Sequence, residues 1–305
     1  MSHNIFIDGE VGTTGLQIRE RLIGRDDIYL LQIDPSRRKD ADARREAYAG
    51  AEVAILCLPD DAAREAVALA EGLDVRIIDA STAHRVAEGW EYGFPELEPG
   101  LADRIATARR VSNPGCYSTG AIAMLKPLVA AGLIAPDEPV SINAVSGYTG
   151  GGKSMIAEYE DGGAPPHFVY GLGQAHKHVP EIMRSAGLTT RPVFAPAVGN
   201  FAQGMAVQLP LHLGQGRSVA QLRDALAAHY DGARFVRVLA DDPARSRIDP
   251  TALNGTNLLE ISVQGDDAKG VATVVAVLDN LGKGASGAAV QNLNLMIGAA
   301  EDAGL

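Results

Sequence analysis

The stretch Asn4-Ile5-Phe6-Ile7-Asp8-Gly9-Glu10-Val11-Gly12-Thr13-Thr14-Gly15 decides the fold of this chain. Ile5, Phe6 and Ile7 form an apolar run of strand length. Gly9, Gly12 and Gly15 follow at G-x-x-G-x-x-G spacing, and residues 16–23 read as a helix. Strand, glycine turn and helix in that order open a βαβ unit. In such a turn glycines let the backbone approach a pyrophosphate, and the helix N-terminus offers N–H donors. Gly9, Gly12, Thr13, Thr14 and Gly15 are therefore candidate cofactor-binding residues. The spacing is not the usual G-x-G-x-x-G, so its place at the first βα turn carries the reading. The plain alternative is a glycine turn with no ligand.

Working outward, residues 28–33, 53–58 and 75–79 read as further strands, with a helix over 61–71. This alternation predicts an α/β fold with a Rossmann-type parallel sheet. Beyond about residue 120 the pattern changes, and 140–145, 206–213, 258–263 and 272–278 read as longer sheet strands. They predict a second, α+β domain with a mostly antiparallel sheet. A last helix over 288–300 returns the chain to the first domain. The expected division is 1–115 with 283–305 as an NADP-binding domain, and 116–282 as a catalytic, substrate and oligomerisation domain. The choice of NADP comes from the end of the second strand, Asp34-Pro35-Ser36-Arg37-Arg38-Lys39. Asp34 alone suits the ribose hydroxyls of NAD. Ser36, Arg37 and Arg38 suit a 2′-phosphate, and arginine is the better bidentate partner for it. Lys39 reads as a solvated charge.

Composition narrows the class. The chain has 305 residues, of which 46% are hydrophobic and 21% charged, and a formal net charge of −11. This is a globular composition, and its acidity argues against nucleic acid or anionic membranes as partners. Only two cysteines are present, so neither a disulfide framework nor zinc spacing is expected, and no metal site is. No signal-like or membrane-spanning apolar run is read, which fits a cytoplasmic chain. Cys57, in the apolar run 53–58, reads as structural.

Cys116 reads as the opposite. It lies in Ser112-Asn113-Pro114-Gly115-Cys116-Tyr117-Ser118-Thr119-Gly120, a turn opening onto a helix that is regular from Thr119. A thiol near a helix N-terminus is biased toward thiolate, the nucleophilic form. Gln174-Ala175-His176-Lys177-His178-Val179-Pro180-Glu181 supplies two histidines on the same side of a strand or loop. His176 and His178 are candidate acid/base partners, and an imidazolium there would favour the thiolate further. Glu181 either orients an imidazole or caps a helix starting at Pro180. Gly147-Tyr148-Thr149-Gly150-Gly151-Gly152-Lys153-Ser154 matches the P-loop spacing literally. Without the strand–helix context of a nucleotide hydrolase, it reads instead as an anion cradle with Lys153 as its cation. Lys283-Gly284-Ala285-Ser286-Gly287-Ala288-Ala289-Val290-Gln291-Asn292 is a glycine loop entering the last helix. Gly284, Gly287 and Asn292 are placed there as cofactor contacts.

Together the Ser112 to Tyr117 run, the His176 to Glu181 run, Gly255-Thr256-Asn257 and the Lys283 to Asn292 loop resemble the N-acetyl-gamma-glutamyl-phosphate reductases, and the short length and the Asp8 to Gly15 start resemble their shorter form. Ser118 departs from the longer form of that family, as does Lys153 at the end of the glycine loop. The resemblance implies NADPH-dependent reduction of N-acetyl-glutamyl 5-phosphate to the 5-semialdehyde, with release of phosphate, in arginine biosynthesis. It implies a Cys116 thioester, His176 ahead of His178 as the proton carrier, and a cytoplasmic homo-oligomer acting on a small acyl phosphate. On resemblance alone, Asn257 joins Lys153 and Glu181 as a substrate-binding residue. The neighbouring alternative is an acyl phosphate reductase of the aspartate-semialdehyde dehydrogenase kind. A non-catalytic NADP-binding regulator and a cysteine hydrolase are the readings from other classes. The first is disfavoured by the presence of Cys116 and both histidines, the second by the glycine loop and the basic turn.

Overall fold

A computed structural model of the protein describes residues 2–214, 216–242 and 244–305. The chain divides into two compact units, Met1–Pro114 with Ala285–Leu305, and Gly115–Gly284. The first contains strands β1 (His3–Asp8), β2 (Ile28–Leu31), β3 (Val53–Leu56), β4 (Arg76–Asp79), β5 (Glu91–Tyr92) and β6 (Arg110–Ser112). Its helices are α1 (Thr13–Leu22), α2 (Ala41–Gly50), α3 (Asp60–Leu69), α4 (Leu101–Thr107) and, from the far end of the chain, α9 (Gly287–Ile297). The strands form one sheet in the order β2-β1-β3-β4-β6-β5. Every pair in it is parallel. This is the Rossmann-type architecture expected from the first glycine loop. All four residues of β3 are buried, as a strand covered by helices on both faces must be. A buried ion pair ties α2 to the end of β1: Arg44 donates to Asp8 at 2.9 and 3.0 Å, and the Tyr48 hydroxyl donates to the same carboxylate. α2 is absent from the sequence reading, although Asp40 marks its start by accepting the Ala43 N–H at 2.8 Å.

The second unit contains α5 (Cys116–Ala130), β7 (Ser141–Gly147), α6 (Gly152–Glu160), β8 (His167–Val169), α7 (His178–Ala186), β9 (Val193–Gly199), β10 (Met205–His212), α8 (Val219–His229), β11 (Val236–Val238), β12 (Leu259–Asp266) and β13 (Val271–Leu278). Its seven strands run in the order β11-β12-β13-β10-β7-β9-β8. β10·β13, β10·β7, β12·β13 and β8·β9 are antiparallel, and β11·β12 and β7·β9 are parallel. The sheet is mixed and mostly antiparallel, as the sequence predicts. β10 alternates buried and exposed residues from Val207 onward, the signature of a sheet covered on one face. α5 supplies the cover and is apolar almost all round. Gly120 lies so close to β10 that a Cβ there would be 2.7 Å from the Val207 side chain. Among the described residues no helix is long and apolar enough to cross a membrane.

Candidate active site

Cys116 is the first residue of α5, and Gly115 is the N-cap in extended conformation. The helix therefore starts three residues earlier than its apolar periodicity suggests, because the Asn-Pro-Gly turn and not the pattern sets its head. Gly115 has no side chain with which to cap. Glu181 of α7 does that work: its carboxylate accepts the Gly115 N–H at 2.8 Å and the Ser118 hydroxyl at 2.7 Å. It is 1% exposed. The structure thus gives Glu181 a further contact, beyond both sequence readings. It holds the head of the neighbouring helix while lying in the first turn of its own, and its two carboxylate oxygens are bonded to Gly115 and Ser118. Gly284, within a π-helical turn, lies against the cysteine. A Cβ on Gly284 would sit 2.9 Å from that of Cys116, so only glycine lets the turn approach. Such turns are rare and concentrate at functional sites.

His176 and His178 flank Tyr117, the residue after the cysteine, each with a ring-centroid separation of 5.9 Å. The imidazoles are 4.8 Å apart, and Phe194 closes over His176 at 5.0 Å. His178 opens α7 rather than lying in a strand or loop. Its backbone N–H points at His176 Nδ1, 3.2 Å away. Nδ1 is thereby the acceptor, and the ring proton of neutral His176 sits on Nε2, 3.4 Å from the Tyr170 hydroxyl. Burial, then the Lys177 charge, lowers the His176 pKa against the opposing pull of Glu181. This environment favours the neutral ring, in contrast to the imidazolium expected from sequence. Tyr170 is pushed up to about 12, chiefly by burial and in part by Cys116, so its phenol stays protonated. Tyr117 is raised further by burial, and its hydroxyl donates to the Ala197 carbonyl at 2.9 Å.

The glycine-rich turn before α6 has its first N–H groups engaged within the second unit. The N–H groups of Gly147, Tyr148 and Thr149 donate to the carbonyls of Gly204, Phe201 and Ala202 at 2.9, 3.0 and 3.2 Å. The strand–helix context denied to this motif is present, since β7 precedes it and α6 follows. Its first three N–H groups are nevertheless turned onto the 201–204 loop. Lys153 is exposed in the first turn of α6, and Asn257 is buried. Two residues escaped the sequence reading. Asp279, fully buried, accepts the N–H groups of Gly255 and Leu281 at 2.8 and 2.9 Å and the Gln203 amide at 3.2 Å. Asn280 accepts the Gly204 N–H at 2.8 Å and donates to Thr149 at 3.1 Å. A polar pair directly after an apolar strand was the available signal.

In the first unit the glycine loop is closely packed on itself and on the end of β3. The Gly12 N–H closes on the Gly9 carbonyl at 3.0 Å. Gly9 has φ +88, and Cβ atoms on Gly9 and Gly15 would lie 2.4 Å from the Cys57 carbonyl and 2.5 Å from that of Gly9. No side chain caps the head of α1. An uncapped helix N-terminus behind a glycine-punctuated turn fits a pyrophosphate. Asp34 is engaged by Ser36, whose N–H and hydroxyl donate to it at 2.8 and 2.6 Å. Arg38 reaches Glu10 of the glycine loop at 3.5 Å, whereas Arg37 turns to Asp40 at 3.0 Å. Gly287 begins α9. Asn292 is fully buried, donating to the Gly93 carbonyl at 2.9 Å and to Asn113 at 3.2 Å, so it fastens α9 within the unit. The Cys57 thiol is pushed up to about 12 by burial and by the Asp79 and Asp8 carboxylates.

Residues 116–280 match the family described as semialdehyde dehydrogenase, dimerisation domain. Residues 30–105 match semialdehyde dehydrogenase, NAD binding domain. Among solved structures, aspartate semialdehyde dehydrogenase from Francisella tularensis superposes with a TM-score of 0.74 at 13% identity, over 97% of this chain and 100% of that one. Aspartate semialdehyde dehydrogenase II from Vibrio cholerae, complexed with ASA, gives 0.71 at 17%, over 97% and 98%. The fold and the family domains make this an oxidoreductase of the semialdehyde dehydrogenase class. N-acetyl-gamma-glutamyl-phosphate reductase 2 of Nostoc sp. is 53% identical over 99% of this chain and 98% of its own length. Its namesake from Pseudomonas putida is 54% identical, over 97% of each chain. The chain belongs to the N-acetyl-gamma-glutamyl-phosphate reductase family.

Proposed function

We propose that the protein reduces N-acetyl-glutamyl 5-phosphate to the 5-semialdehyde with release of phosphate, using NADPH and a covalent Cys116 intermediate. The observation that carries this reading is Cys116 as the first residue of a buried helix, with His176 and His178 packed against the residue beside it. The dipole at the head of α5 favours the thiolate. Cys116 Sγ attacks the acyl carbon, the carbon–oxygen bond to phosphate breaks, and phosphate leaves with the electron pair. The product is a thioester, which accepts hydride where a carboxylate does not. NADPH, when bound, supplies that hydride. His176 Nε2–H donates to the oxygen as it becomes anionic and retains the proton as the carbon–sulfur bond breaks. The aldehyde departs and Cys116 returns as thiolate. A donor of this kind contributes about 3 kcal/mol.

Gly9, Gly12, Thr13, Thr14 and Gly15 would hold the pyrophosphate, Ser36 and Arg38 the 2′-phosphate, and Gly284 and Gly287 the turn beside the reacting end. Lys153 is the candidate cation for substrate phosphate or carboxylate, with Asn257 lining the site. We assign the protein to the cytoplasm, as a homo-oligomer built through its second unit.

The test runs the reaction backwards, measuring phosphate-dependent reduction of NADP with N-acetyl-glutamate semialdehyde and aspartate semialdehyde in parallel. Activity with the acetylated aldehyde alone supports the assignment. Activity with aspartate semialdehyde alone moves the substrate and keeps the chemistry. Inactivity with both, in a folded protein that binds NADP, rejects catalysis.

A further inference from the structure

The edge of the second sheet is finished by a side chain. β8 pairs with β9 only along Ala197, Val198 and Gly199. Further back on β9, the Tyr170 N–H donates to the Pro196 carbonyl at 3.0 Å. At Phe194 no strand residue serves that edge. Instead Gln174 Oε1 accepts the Phe194 N–H at 2.9 Å, and Gln174 Nε2 donates to the Phe194 carbonyl at 3.0 Å. One amide group thus takes the place of a strand residue and satisfies both backbone groups of Phe194.

Gln174 is also the only non-glycine residue with positive φ, 57°, among the described residues. That conformation costs roughly 1–2 kcal/mol and persists where the surroundings over-determine it. Here they do. Its N–H donates to the Gly171 carbonyl at 2.9 Å, and Arg191 donates to the Gln174 carbonyl. Two residues further on is His176. The Phe194 ring, whose backbone Gln174 clamps, lies 5.0 Å from the His176 ring and 5.5 Å from that of Tyr117. Gly171, to which Gln174 bonds, lies against the same imidazole. A Cβ there would be 3.7 Å from His176 Cδ2.

We propose that Gln174 is a positioning residue for the reductase reaction: held in the left-handed conformation, it clamps the Phe194 backbone and so fixes the His176 ring beside Tyr117 at the head of α5. The inference rests on the reading of His176 as the hydrogen-bond donor to the reacting oxygen. Gln174 itself touches neither the reacting atoms nor the cofactor. Its contribution is to convert a loop histidine into one held at a fixed place, and small displacements of such a group cost large factors in rate.

The test compares Gln174→Gly, Gln174→Asn and His176→Asn with wild type in kcat, KM for NADPH, thermal midpoint and the acid limb of the kcat profile. Glycine adopts φ 57° without strain, and asparagine tolerates it, but neither reaches Phe194. Both are expected to fold and to lose about tenfold or more in kcat. KM for NADPH should stay within about twofold, and the acid limb should move upward as the imidazole escapes its buried position. The two variants guard against failure of one to fold. If both keep wild-type kcat and an unmoved acid limb while His176→Asn is inactive, the proposal is overturned, and a lowered thermal midpoint would not rescue it. If His176→Asn itself keeps wild-type kcat and its acid limb, the reading of His176 as the donor to the reacting oxygen fails instead. These two failures are distinct.

Discussion

Two cysteines of one chain meet opposite environments. Cys57 is surrounded by burial and two carboxylates, which push its thiol up to about 12. Cys116 sits at the positive end of a helix dipole. Iodoacetamide at neutral pH should therefore modify Cys116 well before Cys57, as peptide mass mapping would show; the reverse order would mean that Cys116 is not activated. Cys116→Ala should remove turnover and leave NADPH binding intact, measured by fluorescence titration. The basic turn separates in the same way. Arg38 reaches the glycine loop while Arg37 is held by Asp40. Arg38→Ala should raise KM for NADPH about tenfold, the equivalent of one charge-assisted phosphate contact, with little change for NADH. Arg37→Ala should do less, and equal effects would reject the distinction. His176 gives a pH signature. Its folded pKa lies below the ordinary 6.5. Between the two values the unfolded chain binds more protons, so the contribution is present above about pH 6.5 and lost as pH falls through the folded value. The thermal midpoint of wild type should drop faster than that of His176→Asn between about pH 7 and pH 5.

At the scale of elements, the sequence was most legible where periodicity was strong. β1, β3, β4, β10, β12 and β13 all lie where apolar runs place them, because buried strands need continuous or alternating apolar residues and little else. α2, α4, α6 and α8 were not read. α2 is rich in alanine and arginine and exposes much of its surface, so its pattern is weak, although Asp40 announced it. β8 and β9 were missed because neither is a plain apolar run: β8 has three residues, and β9 carries Pro196 in its middle. The site was legible in its residue types and not in their couplings. Nothing in the spacing of Glu181 tells that its partners are Gly115 and Ser118, since that pairing exists only once α5 and α7 pack. The π-helical turn is another such coupling, and it is testable. Gly284→Ala would place a Cβ 2.9 Å from that of Cys116 and 3.1 Å from the Asp279 carbonyl. Neither neighbour is the end of a flexible chain, so the turn or the cysteine must shift, at about 1–3 kcal/mol. We expect a lower thermal midpoint and a kcat reduced by about tenfold or more. Unchanged kcat would show that the turn yields and the cysteine does not depend on it.

At the scale of the whole molecule, the first unit is assembled from both ends of the chain, and this is its point of weakness. α9 is formed by residues more than 170 positions after Pro114, yet nearly every residue in it is buried. Val290, Leu293, Met296 and Ile297 fill the unit's interior, and burying each such side chain contributes about 1.5–3 kcal/mol. Polar contacts add to this: Asn294 accepts from Arg25 at 2.6 Å, Asn292 donates to the Gly93 carbonyl at 2.9 Å, and Gln291 donates to Glu96 at 2.9 Å. Set against a typical domain stability of about 5–15 kcal/mol, the helix is too large a share to lose. A chain ending at Gly284 should therefore fail to form the first unit, although residues 2–114 contain all six strands of its sheet. The chain's single tryptophan reports the outcome, since Trp90 lies in that unit, stacked on His84 at 4.2 Å. Deletion of residues 285–305 should shift Trp90 emission to the red and abolish NADPH binding. Adding the 285–305 peptide in trans should restore part of both. Native emission and cofactor affinity in the truncated chain would show that the sheet and its first four helices suffice, and that the return of the chain has some purpose other than completing the fold.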